Sequence, residues 1–203
     1  MALLPPSQSA LVGMQFNEWL FQTIEPYLNG RVLEVGSDFN TLSSVFVQRG
    51  RRVHLSTSNK ALREQLKVHY QGVEAVRKVH SINFHRSDFE HAYSLETASI
   101  FDTILILNPM ENGTFDDKVV QNARYLLKEK GRLILLTPIF TAVYNGLELK
   151  QDELKHYDRP AVKQLLTDEM GILATRYFHL PEKAGYDRSG PSVLIAARKT
   201  HPD

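Results

Sequence analysis

A chain of 203 residues that is 42% hydrophobic and 23% charged has the balance of an ordinary globular protein, with enough length for one sizeable core. Lysine and arginine number 24 against 23 acidic residues, and a formal net charge of +1 gives no electrostatic case for binding nucleic acid or a membrane surface. With no cysteine, disulfides, thiolate metal sites and a thiol nucleophile are excluded, which suits a reducing compartment.

The chain opens on "MALLPPSQSALVGMQF", which lacks a basic start and carries a proline pair where a signal peptide keeps its apolar stretch. Residues 1–14 are therefore expected to be a loose N-terminal arm, and the protein cytoplasmic. No apolar run approaches the roughly 18 residues of a membrane span. Phe16, Leu20, Ile24 and Leu28 recur at helical spacing, predicting an amphipathic helix over Gln15–Leu28 that Asn29-Gly30 stops. A strand follows over Arg31–Val35, then a helix over Thr41–Gln48, a strand over Arg52–Ser56 and a helix over Lys60–Tyr70. Ser81–His85 reads as the next strand, and "FDTILIL" (Phe101–Leu107) as one buried on both faces.

"TFDDKVVQNARYLLKEKG" predicts a helix with Thr114 as cap and with Val119, Val120, Ala123, Leu126 and Leu127 on one face. Lys128 and Lys130 suit its negative end, Gly131 terminates it, and "RLILLTP" is the next strand. An irregular stretch to Asp158 precedes a helix over Pro160–Met170 and two last strands, Ile172–Phe178 and Ser192–Ala197. Repeated alternation without repeats or linkers implies one domain over 1–203. It is an α/β fold with a mostly parallel sheet and helices on both faces. In such sheets ligands bind beyond the carboxyl ends of the strands. The Gly36 loop, the residues after Ser56, Asp88 and Asn108 all lie at such ends.

"RVLEVGSDFN", with "FDTILILN", "NARYLLKEKGRLILLTP" and "VYNGLELKQDELKHYDRPAVKQLL", resembles class I S-adenosylmethionine-dependent methyltransferases, in particular small bacterial ones of the type-12 kind. The resemblance covers roughly Glu18 to Arg198. It implies a Rossmann-like, seven-stranded sheet of order 3-2-1-4-5-7-6 and S-adenosylmethionine as cofactor. The family's first strand ends in E-x-G-x-G-x-G; Glu34 and Gly36 match, and Asp38 and Asn40 replace the later glycines. By carry-over, backbone at Gly36 and Ser37 faces the methionine and ribose part of the cofactor. Asp88 hydrogen-bonds the adenine amino group with Phe89 beside the ring, and Asn108 lies below the sulfonium.

Thr57 falls where the family places an acid that grips both ribose hydroxyls. A threonine accepts once and weakly, and charge-assisted bonds are worth about 1.5–3 kcal/mol each, so binding is weakened roughly ten- to a few hundred-fold. Asn and Asp are the commonest non-glycine residues at positive φ, so Asp38 and Asn40 are compatible with the loop's shape. The Asp38 charge suits a nearby sulfonium, but its side chain could equally fill the ribose pocket.

Methyl transfer needs in-line positioning and desolvation more than acid-base groups. His156 and Tyr144 are candidates to hold an acceptor's proton, with Tyr157 and Glu111 nearby, although each also reads as structural or exposed. The segment 139–158 would hold a small-molecule acceptor. Asp88 reads equally as a helix N-cap. His80, His85 and His91 lack metal-ligand spacing, so no metal is expected. "KVHYQGVEAVRKVH" reads as a basic solvated face. A nicotinamide enzyme would want G-x-G-x-x-G and an acid about twenty residues on, and both are missing. The expectation is a methyltransferase acting on a small molecule, without nucleic-acid or membrane partners, as monomer or homodimer. The alternative is a catalytically inactive methyltransferase-like binding or scaffold protein, favoured by Asp38, Asn40 and Thr57.

Overall fold

The structure, a computed structural model, describes residues 8–39, 42–93, 98–107, 117–138, 166, 170–180 and 190–200. Helix α1 spans Gln8–Ile24 and runs into a 3-10 turn, Glu25–Tyr27. The helix thus begins at Gln8, within the stretch expected to be a loose arm. It ends four residues before the expected Leu28 because Pro26 lacks the N–H that would continue it. There follow β1 (Val32–Val35), α2 (Ser43–Gln48), β2 (Val53–Ser56), α3 (Lys60–His69), β3 (Val76–His80), α4 (Phe89–Ala92), β4 (Phe101–Ile106), α5 (Asp117–Leu126), β5 (Leu127–Pro138), β6 (Met170–Leu180) and β7 (Gly190–Lys199).

The seven strands form one sheet of order β3-β2-β1-β4-β5-β7-β6. β3 to β5 run parallel, and β7 is antiparallel to both β5 and β6. Alternate residues of the central strands feed two separate cores. Leu33, Ile104, Ile106, Leu133 and Leu135 pack with α4 and α5 through Phe89, Val119 and Ala123. Val32, Leu105, Leu107, Ile134 and Leu136 pack with α1, α2 and α3 through Phe21, Phe46 and Leu66. Burial of both faces is why these strands read as continuous apolar runs in the sequence.

The third strand is Val76–His80, not Ser81–His85. As an edge strand it leaves Arg77 and Lys78 exposed, so its sequence carries little apolar signal. Ile82 and Phe84 are buried, but from a loop held by other contacts: Asn122 Nδ2 donates to the carbonyls of Phe84 (2.7 Å) and Arg86 (3.1 Å), and the Asn83 N–H donates to the Tyr93 hydroxyl (2.8 Å).

The fifth helix stops at Leu126, and Leu127–Gly131 belong to β5 rather than to a helical end. Phe101 pairs with Leu127 and Thr103 with Arg132, so the intervening residues bulge out of the ladder. Lys130 takes the turn at φ 62°, and a Cβ on Gly131 would come within 2.8 Å of the Lys128 carbonyl oxygen. Met170, expected to end a helix, instead begins β6. Of the helix expected over Pro160–Met170, residues 160–165 and 167–169 lie outside the described residues.

Where β2 meets β3, His54 Nδ1 and His80 Nε2 are 2.9 Å apart, and both rings lie edge-on to Phe101. Burial first, then neighbouring positive charge, lowers both imidazoles to a pKa of about 4 from 6.5. The folded pair is therefore neutral where the unfolded chain already takes protons, and its contribution is present above pH 6.5 and lost as pH falls towards 4. Discounted for the partial exposure of His54, the pair accounts for about 3 kcal/mol. Urea unfolding between pH 7 and pH 4 is expected to show this fall, and His54→Gln to flatten it; an unchanged slope in the variant would place the protonation elsewhere.

Candidate cofactor site

The turn after β1 is built by one buried carboxylate. Glu34 is fully buried, and the Leu42 N–H donates to its Oε1 at 2.9 Å. Leu42 is the N-cap of α2 and has no side-chain oxygen to satisfy that helix end. A glutamate from the preceding strand does the work of a capping residue, where a negative charge also suits the helix dipole. Ser37 closes the other side. Its Oγ donates to the Glu34 carbonyl oxygen (2.9 Å) and lies 3.4 Å from Oε2. The same Oγ accepts the Ser56 N–H at 3.2 Å, while the Ser37 N–H donates to the Ser56 carbonyl oxygen at 2.9 Å. The ends of β1 and β2 are thereby stitched together.

Gly36 sits at the apex with φ 73°, the left-handed region that a side chain rarely adopts. Asp38 is half-buried and is not among the described residues with positive φ, so its place in the loop needs no glycine-like backbone. That corrects the expectation that Asp was tolerated there for its left-handed propensity. Asn40 lies outside the described residues. Tyr70 approaches from α3, its hydroxyl 3.0 Å from Ser43 Oγ. Burial raises its phenol above the usual range, and the charges of Glu34 and Asp38 push the same way against the Ser43 hydrogen bond. Sequence reasoning missed Ser43 and Tyr70, whose contact joins residues 27 apart in the chain and leaves no local pattern.

Thr57 is buried and shapes its own turn, its Oγ1 accepting the Asn59 N–H at 3.3 Å and its N–H donating to the His80 carbonyl oxygen at 3.3 Å. Asn59 in turn caps α3, accepting from the Leu62 N–H at 3.1 Å. Beside it, Ser56 Oγ is buried with no hydrogen-bond partner among the described residues. That hydroxyl is fully enclosed by protein, so it marks a tightly packed strand end rather than a surface open to a ligand.

Asp88 occupies the N-cap position of α4 but makes no side-chain capping bond. Its carboxylate is held by Arg86, through Nε at 2.8 Å and Nη2 at 2.6 Å, and that pairing keeps its pKa below the usual carboxylate range. Phe89 is 2% exposed and packs among Phe84, Tyr93 and Tyr125 in the core, so its ring is structural rather than open to a ligand. Asn108, Glu111, Tyr144, His156 and Tyr157 lie outside the described residues. Among those described, no group of three or more metal-ligating side chains forms, and no helix is long and apolar enough to cross a membrane.

No protein-family profile matches the chain, and no curated protein matches it by sequence. Solved structures do. A S-adenosylmethionine-dependent methyltransferase from Methanosarcina mazei aligns with a TM-score of 0.66 at 16% identity, over 89% of this chain and 98% of its own. The N-methyltransferase NodS from Bradyrhizobium japonicum aligns at 0.61 and 10% identity, over 94% and 97%. A CurJ carbon methyltransferase aligns at 0.62 and 14% identity over 93% of this chain, which spans 54% of that protein. At such identities the likeness is one of fold, and it coincides with the observed strand order and the antiparallel β7. The chain has the class I S-adenosylmethionine-dependent methyltransferase fold.

Proposed function

We propose that this protein is a S-adenosylmethionine-dependent methyltransferase that acts on a small-molecule acceptor by direct methyl transfer. The observation that carries the reading is the turn at Gly36, with its positive φ, its buried Glu34–Leu42 bond and its link to β2 through Ser37. Such a turn exposes backbone to a ligand at the carboxyl end of β1, the place where open α/β sheets bind. When bound, the cofactor supplies an electrophilic methyl group on a sulfonium. The chain's part is to hold it: Gly36 and Ser37 against the methionine and ribose portion, and Thr57 near the ribose. Asp38 would supply negative charge near the sulfonium, and Asn108 would lie below it. His156 and Tyr144, on the segment 139–158, are the candidates to orient an acceptor and hold its proton.

A second reading, an inactive binding or scaffold protein, is favoured by three observations. Asp88 is engaged by Arg86, Phe89 is in the core, and no acid occupies position 57. Calorimetric titration with S-adenosylmethionine and with its demethylated product separates the two. Micromolar binding of either is expected, and no binding at millimolar cofactor would sink the enzyme reading. Thr57→Asp keeps an acceptor for the Asn59 N–H and adds a carboxylate for the ribose, so it is expected to tighten binding about tenfold or more. Unchanged affinity would remove Thr57 from the ribose site.

A further inference from the structure

A pocket lies at the other end of the sheet from the Gly36 turn, where the strands begin. Gly30, Arg31 and Val32 at the start of β1, Arg52 and His54 at the start of β2, and Arg77 and Lys78 of β3 line a cavity of about 420 Å³. The cofactor turn follows the carboxyl ends of these strands. Four residues of β1 (Val32–Val35) separate the two sites, roughly 13 Å at 3.3 Å per residue.

The pocket gathers charge that the chain as a whole does not have. Formal net charge is only +1, yet Arg31, Arg52, Arg77 and Lys78 are all exposed here, and none is in an ion pair among the described residues. Asp102, the carboxylate whose charge couples to Arg31, is already taken. It accepts the Arg31 backbone N–H at 2.7 Å and Lys128 Nζ at 3.0 and 2.9 Å. The floor tells the same story. His54 is depressed by burial and then by Arg31, Arg77 and Lys78, and His80 by burial and then by His54, Lys78 and Arg31; among the described residues no carboxylate is a leading influence on either. Arg31, Arg52, Arg77 and Lys78 lie on or next to three adjacent strands, which at a spacing of about 4.8 Å gather like charge that a bound anion would relieve.

We propose that this pocket binds an oligophosphate, the di- or triphosphate portion of a soluble small molecule, at a site independent of the cofactor turn. Arginine forks suit phosphate oxygens bidentately, and a span of three strands suits more than one phosphate group. The volume is that of a small-ligand site. Among the described residues the lining holds no Phe, Tyr or Trp on which bases could stack, which argues against single-stranded nucleic acid.

The test is calorimetric titration of the full chain with inorganic triphosphate at fixed ionic strength, with sulfate as control. One triphosphate per chain is expected, bound at least tenfold more tightly than sulfate. Arg52→Gln/Arg77→Gln alters two exposed side chains, and an unchanged thermal midpoint would show that it still folds. The double variant is expected to weaken triphosphate binding by roughly 30-fold or more. In the wild type, the His54 imidazole, followed by NMR, should titrate above its free value of about 4 when triphosphate is bound, because an anion favours the imidazolium. Equal affinity for sulfate, or triphosphate affinity untouched by the double variant, would overturn the proposal. Binding of a single-stranded oligonucleotide without triphosphate would overturn it in favour of a nucleic-acid face. Methyl-transfer activity plays no part in these readouts.

Discussion

Glu34→Ala is expected to lower the free energy of unfolding by about 3 kcal/mol and to abolish binding of S-adenosylmethionine at concentrations that saturate the wild type. The carboxylate is fully buried, and removing it leaves the Leu42 N–H without its acceptor at the start of α2. A buried donor left unsatisfied costs about 1–3 kcal/mol, and the cavity left by the side chain adds to that. Relief from burying a charge works in the opposite direction and keeps the sum below the largest core truncations. Glu34→Gln preserves an oxygen for Leu42 and replaces the other with an amide facing Ser37, so about 1 kcal/mol is expected. Urea unfolding reads the stability and calorimetry the binding. An alanine variant as stable as the wild type would show that this bond does not hold the turn. A stable variant that still bound cofactor would move the ligand away from Gly36.

Phe101→Ala is expected to cost about 3–5 kcal/mol at pH 7 and distinctly less at pH 5. The ring is fully buried at the start of β4, with centroids 5.4 Å from His54 and 5.9 Å from His80. Its removal opens a cavity beside two imidazoles whose first cause of depression is burial. Water reaching them raises their folded pKa from about 4 towards 6.5. The wild type loses stability from pH 7 to pH 5 because its unfolded chain takes up protons that its folded chain refuses. The variant's folded chain accepts some of them, so its loss over the same interval is smaller. Urea midpoints at the two pH values check this. Equal cost at both would show that Phe101 does not keep water from the histidine pair.

The sequence by itself determined the central strands and the packing faces of the main helices. Val32–Val35 and Phe101–Ile106 are mostly apolar because both of their faces are covered, and that pattern survives in the chain order. The strand order and the Gly36 turn were legible through the family resemblance. Tertiary structure decided the edges and the partnerships. β3 is half polar because it stands at the sheet's edge with Arg77 and Lys78 exposed, so its residues read as a basic solvated face, while Ile82 and Phe84 looked like strand although a loop buries them. Leu127 has the spacing of a helical face and enters β5, because pairing with Phe101 overrides local preference there. Asp88 was placed by type and offset, and its carboxylate is instead held by Arg86, two residues before it. Arg31, Arg52, Arg77 and Lys78 are scattered along the chain and meet only because β1, β2 and β3 lie side by side. Periodicity reports which face of its own element a residue occupies; which residues of other elements it meets depends on long-range strand pairing, and no local pattern encodes that.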